Sequence, residues 1–130
     1  MRPSEAALVV AKLAAVDNRA ESEAAAIAWA DALDPAITLP DALDAVTLHR
    51  RRSTDWCQPA HINAIVKEIR RDRLAHAGVP PLPHGLTQGE ERAWLHAWRT
   101  AAADGQTNPT AIANHTLQSH QARQLEGATA

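Results

Sequence analysis

Three side chains with metal-binding or nucleophilic chemistry, His49, Cys57 and His61, fall within thirteen positions of this 130-residue chain. Imidazole nitrogen and thiolate sulfur are ligands that zinc favours, but a structural zinc site takes four of them at short paired spacings, and Cys57 is the only cysteine. The sequence therefore assigns no metal ligand and no cofactor. His49 is expected to border a core beside Ala42 and Val46, and His61 to sit in the first turn of a helix. Together with Asp55 these residues have the types of a Cys-His-Asp nucleophilic set. Close neighbours in sequence rarely converge as a triad must, however, and nothing in the pattern activates the thiol. Five glycines are spread singly, so neither a Walker-type phosphate loop nor a dinucleotide fingerprint can be written from them. No catalytic residue is assigned, and the chain reads as a non-enzyme.

Phosphate neutralisation is the second chemistry. Residues 49–74 hold Arg50, Arg51, Arg52, Lys67, Arg70, Arg71 and Arg73 against Asp55, Glu68 and Asp72, a local balance of +4 in a chain of net charge −2. Such asymmetry points to partners rather than to fold. If the helices that carry them pack antiparallel, Arg50, Arg51, Arg52, Lys67, Arg70 and Arg71 could present a nucleic-acid-binding patch to backbone phosphates. The connector at residues 53–58 is longer than the turn of a tight helix-turn-helix, which disfavours reading of base sequence. An equally simple explanation is a solvated face, with Arg50–Arg52 complementing a helix C-terminus.

A third candidate is a partner-binding helix near the C-terminus. Trp94, Leu95, Trp98 and Arg99 offer large anchors and one charge on a short amphipathic segment behind a proline-rich stretch, a form that suits a groove on another protein. The alternative is that this helix folds back over the chain's own core.

The elements that must position these groups are all helices. β-Branched and aromatic residues are scarce, with four Trp and no Phe or Tyr, while Ala, Leu, Arg and Glu are plentiful. Helices are expected at about 5–17, capped by Ser4 and facing inward through Ala6, Val9, Leu13 and Val16, and at 22–33, with Ala25, Ala26, Trp29 and Leu33 inward. A third, at 40–52, has Asp41 and Asp44 at its positive end and Arg50–Arg52 at its negative end, with Leu39, Ala42, Leu43 and Val46 inward. Pro59 opens a fourth that Gly78 and Pro80-Pro81 close, with an apolar stripe of Ile62, Ile65, Val66 and Ile69. A capping box, Thr87 with Glu90, starts a fifth that ends at Asp104-Gly105. Asn108-Pro109 opens a last segment of weak pattern. The expected architecture is all-α: a four-helix bundle domain at 4–78, a proline-rich linker at 79–86, and a C-terminal amphipathic helix with a partly flexible tail at 87–130. The absence of a signal-like or membrane-spanning stretch, with a single cysteine, places the chain in the cytoplasm.

Between Ala26 and Leu74 the chain sets out Trp29 and Leu33 in AWADAL, the segment DALDAVTLH ending in His49, a short connector with Trp56, and the helix start PAHINAIVKEIR at Pro59. In these residues the stretch resembles the core of the phage replicative-helicase loader and inhibitor family. The resemblance implies a compact helical N-terminal domain and a more mobile C-terminal segment. It further implies a DNA-replication adaptor that binds a hexameric DnaB-type helicase or an initiator, in the bacterial host cytoplasm if phage-encoded. The C-terminal part engages the helicase in that family, which here falls on residues 86–125. The alternatives are a small DNA-binding regulatory protein that uses the basic residues, and a structural or oligomerising phage component.

Overall fold

The computed structural model describes residues 1–129, and among them there are six helices and no strand. They are α1 (Pro3–Asp17), α2 (Glu23–Ala32), α3 (Leu39–Arg52), α4 (Pro59–Ala77), α5 (Gln88–Ala103) and α6 (Pro109–Thr129). The all-α expectation holds, and no helix is long and apolar enough to cross a membrane.

Local chemistry sets the helix ends. Thr38 caps α3 by accepting from the Asp41 N–H, Ser22 caps α2 by accepting from Ala25 N–H, and Thr87 and Glu90 form the expected reciprocal box on α5. The start of α1 differs from expectation. It begins at Pro3, not after Ser4, because proline is preset for the first helical position and Glu5 reaches back 3.2 Å to the Arg2 N–H. Its other end closes on Asn18, in the left-handed conformation at φ 57°, whose N–H returns to the Ala14 carbonyl.

The chain forms two compact units, residues 1–68 and 69–130. In the first, α1 packs on α2 and α3. Its buried set includes Val9 and Leu13 from α1, Trp29 and Leu33 from the α2 segment, Ala42 and Val46 from α3, and Ile62, Ile65 and Val66 from α4. Lys12 ties α1 to α3 by donating to the Leu43 carbonyl and the Thr47 hydroxyl. Asn63 ties α4 to the end of α2, donating to the Ala32 carbonyl and accepting from the Asp34 N–H. Val16 does not share the inward face: it is 66% exposed, and Val10 is buried instead. The face turns because the last turn of α1 is held by polar contacts through Asp17 rather than by apolar packing.

The second unit is a helical hairpin of α5 on α6, together with the end of α4 and the segment between α4 and α5. Trp94, Trp98, Ala102 and Ala113 form its centre, with Leu74, Leu82, Leu86, Leu95, Ala97 and Leu117 packed around them. The division between the units therefore falls inside α4 and not at the proline-rich residues 79–86. Leu74 and Leu82 both join the tryptophan cluster, Arg70 pairs with Asp104, and Arg73 donates to the Ala103 carbonyl at the end of α5. The segment expected to be a partly flexible tail is helical through Thr129, with the side chains from Gln118 to Ala128 largely exposed; Ala130 lies outside the described residues.

Replacing Trp94 by Ala removes the largest fully buried side chain and leaves a cavity, at a cost of about 3–5 kcal/mol. Val16→Ala, on an exposed surface, should change stability by no more than about 0.5 kcal/mol. Urea unfolding of the two variants measures the contrast; comparable losses would refute the assignment of faces.

Candidate functional site

The functional residues singled out in the sequence fall into three structural fates. The tryptophans of α5 are interior. Trp94 is 0% and Trp98 4% exposed, and their indole N–H groups donate to Asn114 Oδ1 at 2.9 Å and Thr110 Oγ1 at 3.2 Å on or beside α6. A buried indole with a satisfied N–H is a core residue. Leu95 is half-buried against the same cluster, so of the four expected partner-binding residues only Arg99 is exposed. Helical periodicity placed both tryptophans on one face; it could not say that α6 would cover that face.

The basic residues divide. Arg50 donates to the Leu13 carbonyl at 2.9 Å, closing the end of α1, and lies 3.7 Å from the Asp17 carboxylate; its Nε is buried without a partner. Arg52 forms a forked pair with Glu68, and Arg70 is paired with Asp104. Arg51, Lys67 and Arg71 are exposed. Half of the expected phosphate-binding set is thus engaged inside its own unit; at the end of α3, Arg50 is directed at α1 and Arg52 at Glu68 on α4, while Arg51 faces solvent.

The remaining constellation is built around the connector between α3 and α4. Arg19, just beyond α1, lies with its guanidinium carbon 4.2 Å from the Trp56 ring centre and 5.7 Å from that of Trp29. Its Nε donates to both oxygens of Asp17, and its Nη1 donates 3.1 Å to the Cys57 carbonyl. One side chain, 9% exposed, therefore ties the end of α1, a core tryptophan of α2 and the connector. Trp56 remains 52% exposed, acting as the outer plate over that cation. The Asp17 carboxyl is held below the ordinary aspartate range, first by the side-chain hydrogen bonds of Arg19, with further help from its backbone N–H and the charges of Arg19 and Arg50, against the opposing effect of burial.

With the connector held this way, His49, Cys57 and His61 come together: one ligand-type atom from each lies within 4.8 Å of the others. The two imidazoles stack with ring centres 4.6 Å apart and planes tilted by 35°. His49 is buried and its Nε2 is 2.8 Å from the Asp55 carbonyl, which can only accept, so Nε2 carries the proton and Nδ1 the lone pair. His61 Nδ1 accepts from the Gln58 N–H at 2.9 Å, in the first turn of α4. Cys57 is 3% exposed, and burial pushes its thiol up, partly opposed by Arg19 and Arg50. Beside the cluster lies a cleft of about 420 Å³ lined by Asp17, His49, Arg50, Asp55, Trp56 and Cys57 among others. The spacing in sequence named these three residues; their convergence involves the clamp on the connector by Arg19, 38 residues before Cys57.

Comparison with models of protein families, with functionally characterised proteins and with solved structures finds no match.

Because the folded-state value of Asp17 is lowered, its contribution to stability is full above the unfolded aspartate value near 3.9 and is lost as pH falls through the lower folded value. Asp17→Asn should therefore lower stability at neutral pH and flatten its decline below about pH 4. Urea unfolding across a pH series checks this, and an unchanged slope in the variant would separate Asp17 from the clamp.

Proposed function

We propose that this chain is a non-enzymatic DNA-replication adaptor of the phage helicase loader and inhibitor kind, binding a hexameric replicative helicase in a bacterial cytoplasm. The observation that carries this reading is the burial of Trp29, Leu33 and His49, three of the residues behind the resemblance, while a fourth, Trp56, is 52% exposed. Trp29 at 8%, Leu33 at 2% and His49 at 5% exposure all belong to the interior of residues 1–68, and Pro59 opens α4. Anchors that serve one compact helical unit are what the resemblance requires of an N-terminal domain, read here as a small four-helix bundle.

The helicase-binding part is proposed on the second unit. Since Trp94 and Trp98 fill its core, the docking surface is assigned to side chains that remain outside: Arg99 on α5, and the distal turns of α6, where Gln118, Ser119 and Arg123 are exposed. A long helix with few buried residues over its last turns has surface to offer a partner. DNA binding through the basic residues ranks second, because Arg50, Arg52 and Arg70 already serve internal partners. A structural, self-assembling role ranks third.

Size-exclusion chromatography with a DnaB-type hexameric helicase is the test. The wild type should co-elute with the hexamer, and a combined Arg99→Glu and Arg123→Glu variant with unchanged far-UV circular dichroism should bind more weakly. Separate elution of the wild type would overturn the adaptor reading. An electrophoretic shift that weakens steeply with salt would favour the DNA reading instead.

A further inference from the structure

We propose that His49, Cys57 and His61 form a binding site for a zinc-class divalent cation, with the fourth coordination position open to the neighbouring cleft. The proposal stands on geometry and donor chemistry in the first unit and is independent of any helicase partner. Two imidazoles and a thiolate are a donor set that zinc and cobalt favour over magnesium or calcium. Three protein ligands with a fourth position left for water or another donor is the arrangement of an open site, so the lack of a second cysteine, which disfavours a closed structural site, does not count against this one.

Each ligand is already part-way to its role. His49 is oriented by the bond from Nε2–H to the Asp55 carbonyl at 2.8 Å, the outer contact that characteristically fixes a metal-ligating histidine and leaves Nδ1 to coordinate. Cys57 lines the cleft, and its sulfur lies within 4.8 Å of a ring nitrogen of each imidazole. His61 presents a ring stacked on that of His49 and held only by an exposed bond from the Gln58 N–H. To ligate, His61 gives up that bond, either coordinating through Nδ1 or moving its proton to Nδ1 and coordinating through Nε2. Water can then take the Gln58 N–H.

A tetrahedral site with zinc–nitrogen bonds of about 2.0–2.1 Å and a zinc–sulfur bond of about 2.3 Å has donor separations of roughly 3.3–3.6 Å. The widest donor separation, up to 4.8 Å, must therefore shorten by roughly 1.2–1.5 Å. Since Arg19 and His49 hold the connector backbone at the Cys57 and Asp55 carbonyls, that movement falls on rotation of the Cys57 and His61 side chains. In the binding step the cation forms one bond to sulfur and two to nitrogen. The thiol S–H breaks, and its proton leaves to solvent through the cleft. The retained charge of the thiolate–metal pair lies near Arg19, Arg50 and Asp17, with Asp55 lining the same cleft, so the site is not surrounded by charge of one sign.

Cobalt(II), followed by zinc, provides the test on the full chain freed of metal with a chelator. Expected is one Co²⁺ per chain, with intense visible bands of a four-coordinate ion and a near-ultraviolet thiolate-to-cobalt band, both abolished by one equivalent of Zn²⁺. Cys57→Ser should remove the thiolate band, and both it and His61→Asn should weaken binding by more than the roughly 10- to 100-fold typical of losing an outer-shell partner. Zinc should also protect Cys57, the only thiol, from alkylation in the wild type, a readout that needs no variant to fold. Absence of the thiolate band, or alkylation unaffected by zinc, would overturn the proposal. So would binding that survives both substitutions, which would assign the metal to other histidines such as His115 and His120.

Discussion

The first unit depends on one cation placed between two aromatic rings. Arg19 sits between Trp29, part of the core, and Trp56, part of the connector, while its polar edge joins Asp17 to the Cys57 carbonyl. An exposed cation–π contact alone contributes only about 0.5–1 kcal/mol. Here the same guanidinium is 9% exposed and also hydrogen-bonds the partly buried Asp17 carboxylate and the Cys57 carbonyl. The connector has few apolar residues of its own, and it is held by Arg19 at the Cys57 carbonyl, by His49 at the Asp55 carbonyl and by the burial of Cys57. His49, Cys57 and His61 converge because both ends of the connector are fixed, one by α3 and the other by α4, and its middle is pinned to Arg19.

The second unit uses a different device. Its core is small, two tryptophans amid leucines and alanines, and it gains specificity from the two indole N–H groups, each matched to one acceptor contributed by Thr110 or Asn114. A large side chain with one donor can be buried at low cost only when that donor is met, so each tryptophan fixes the register of α6 against α5. The end of α5 is closed by Arg73 on the Ala103 carbonyl. Gly105, at φ 79°, lies so close that an added Cβ would stand 3.2 Å from the Arg73 guanidinium, so both backbone conformation and space call for glycine there.

Much of this was legible in the sequence, and what was missed has a common cause. The first five helices, the caps at Ser22 and Thr87, the acid-to-base polarity of α3 and the stripe of Ile62, Ile65 and Val66 all rest on contacts within four residues, which spacing reveals. The burial of Trp94 and Trp98 under α6, the engagement of Arg50 by Leu13 and Asp17, and the unit boundary inside α4 rest on contacts spanning 12 residues or more, for which periodicity holds no signal. α6 illustrates the limit directly: its apolar pattern is weak because only part of it, around Ala113 and Leu117, meets a core. Among the candidate ligands, His49 was expected beside Ala42 and Val46 and is buried with them. Its nearness to His61 needed the clamp, and Arg19 carries no local mark of that role.

The thiol of Cys57 reports on the clamp most directly, because it is the only cysteine in the chain, is 3% exposed and hangs from the carbonyl-bearing residue that Arg19 holds. Its reaction rate with a disulfide reagent can be followed in chelator-treated protein, under conditions where the wild type and Arg19→Ala are both folded by circular dichroism. Slow labelling of the wild type and labelling at least about tenfold faster in the variant, equivalent to roughly 1.4 kcal/mol of local opening, is the predicted result. Wild-type labelling as fast as that of an unstructured thiol, or identical rates in the two proteins, would contradict a connector held by Arg19.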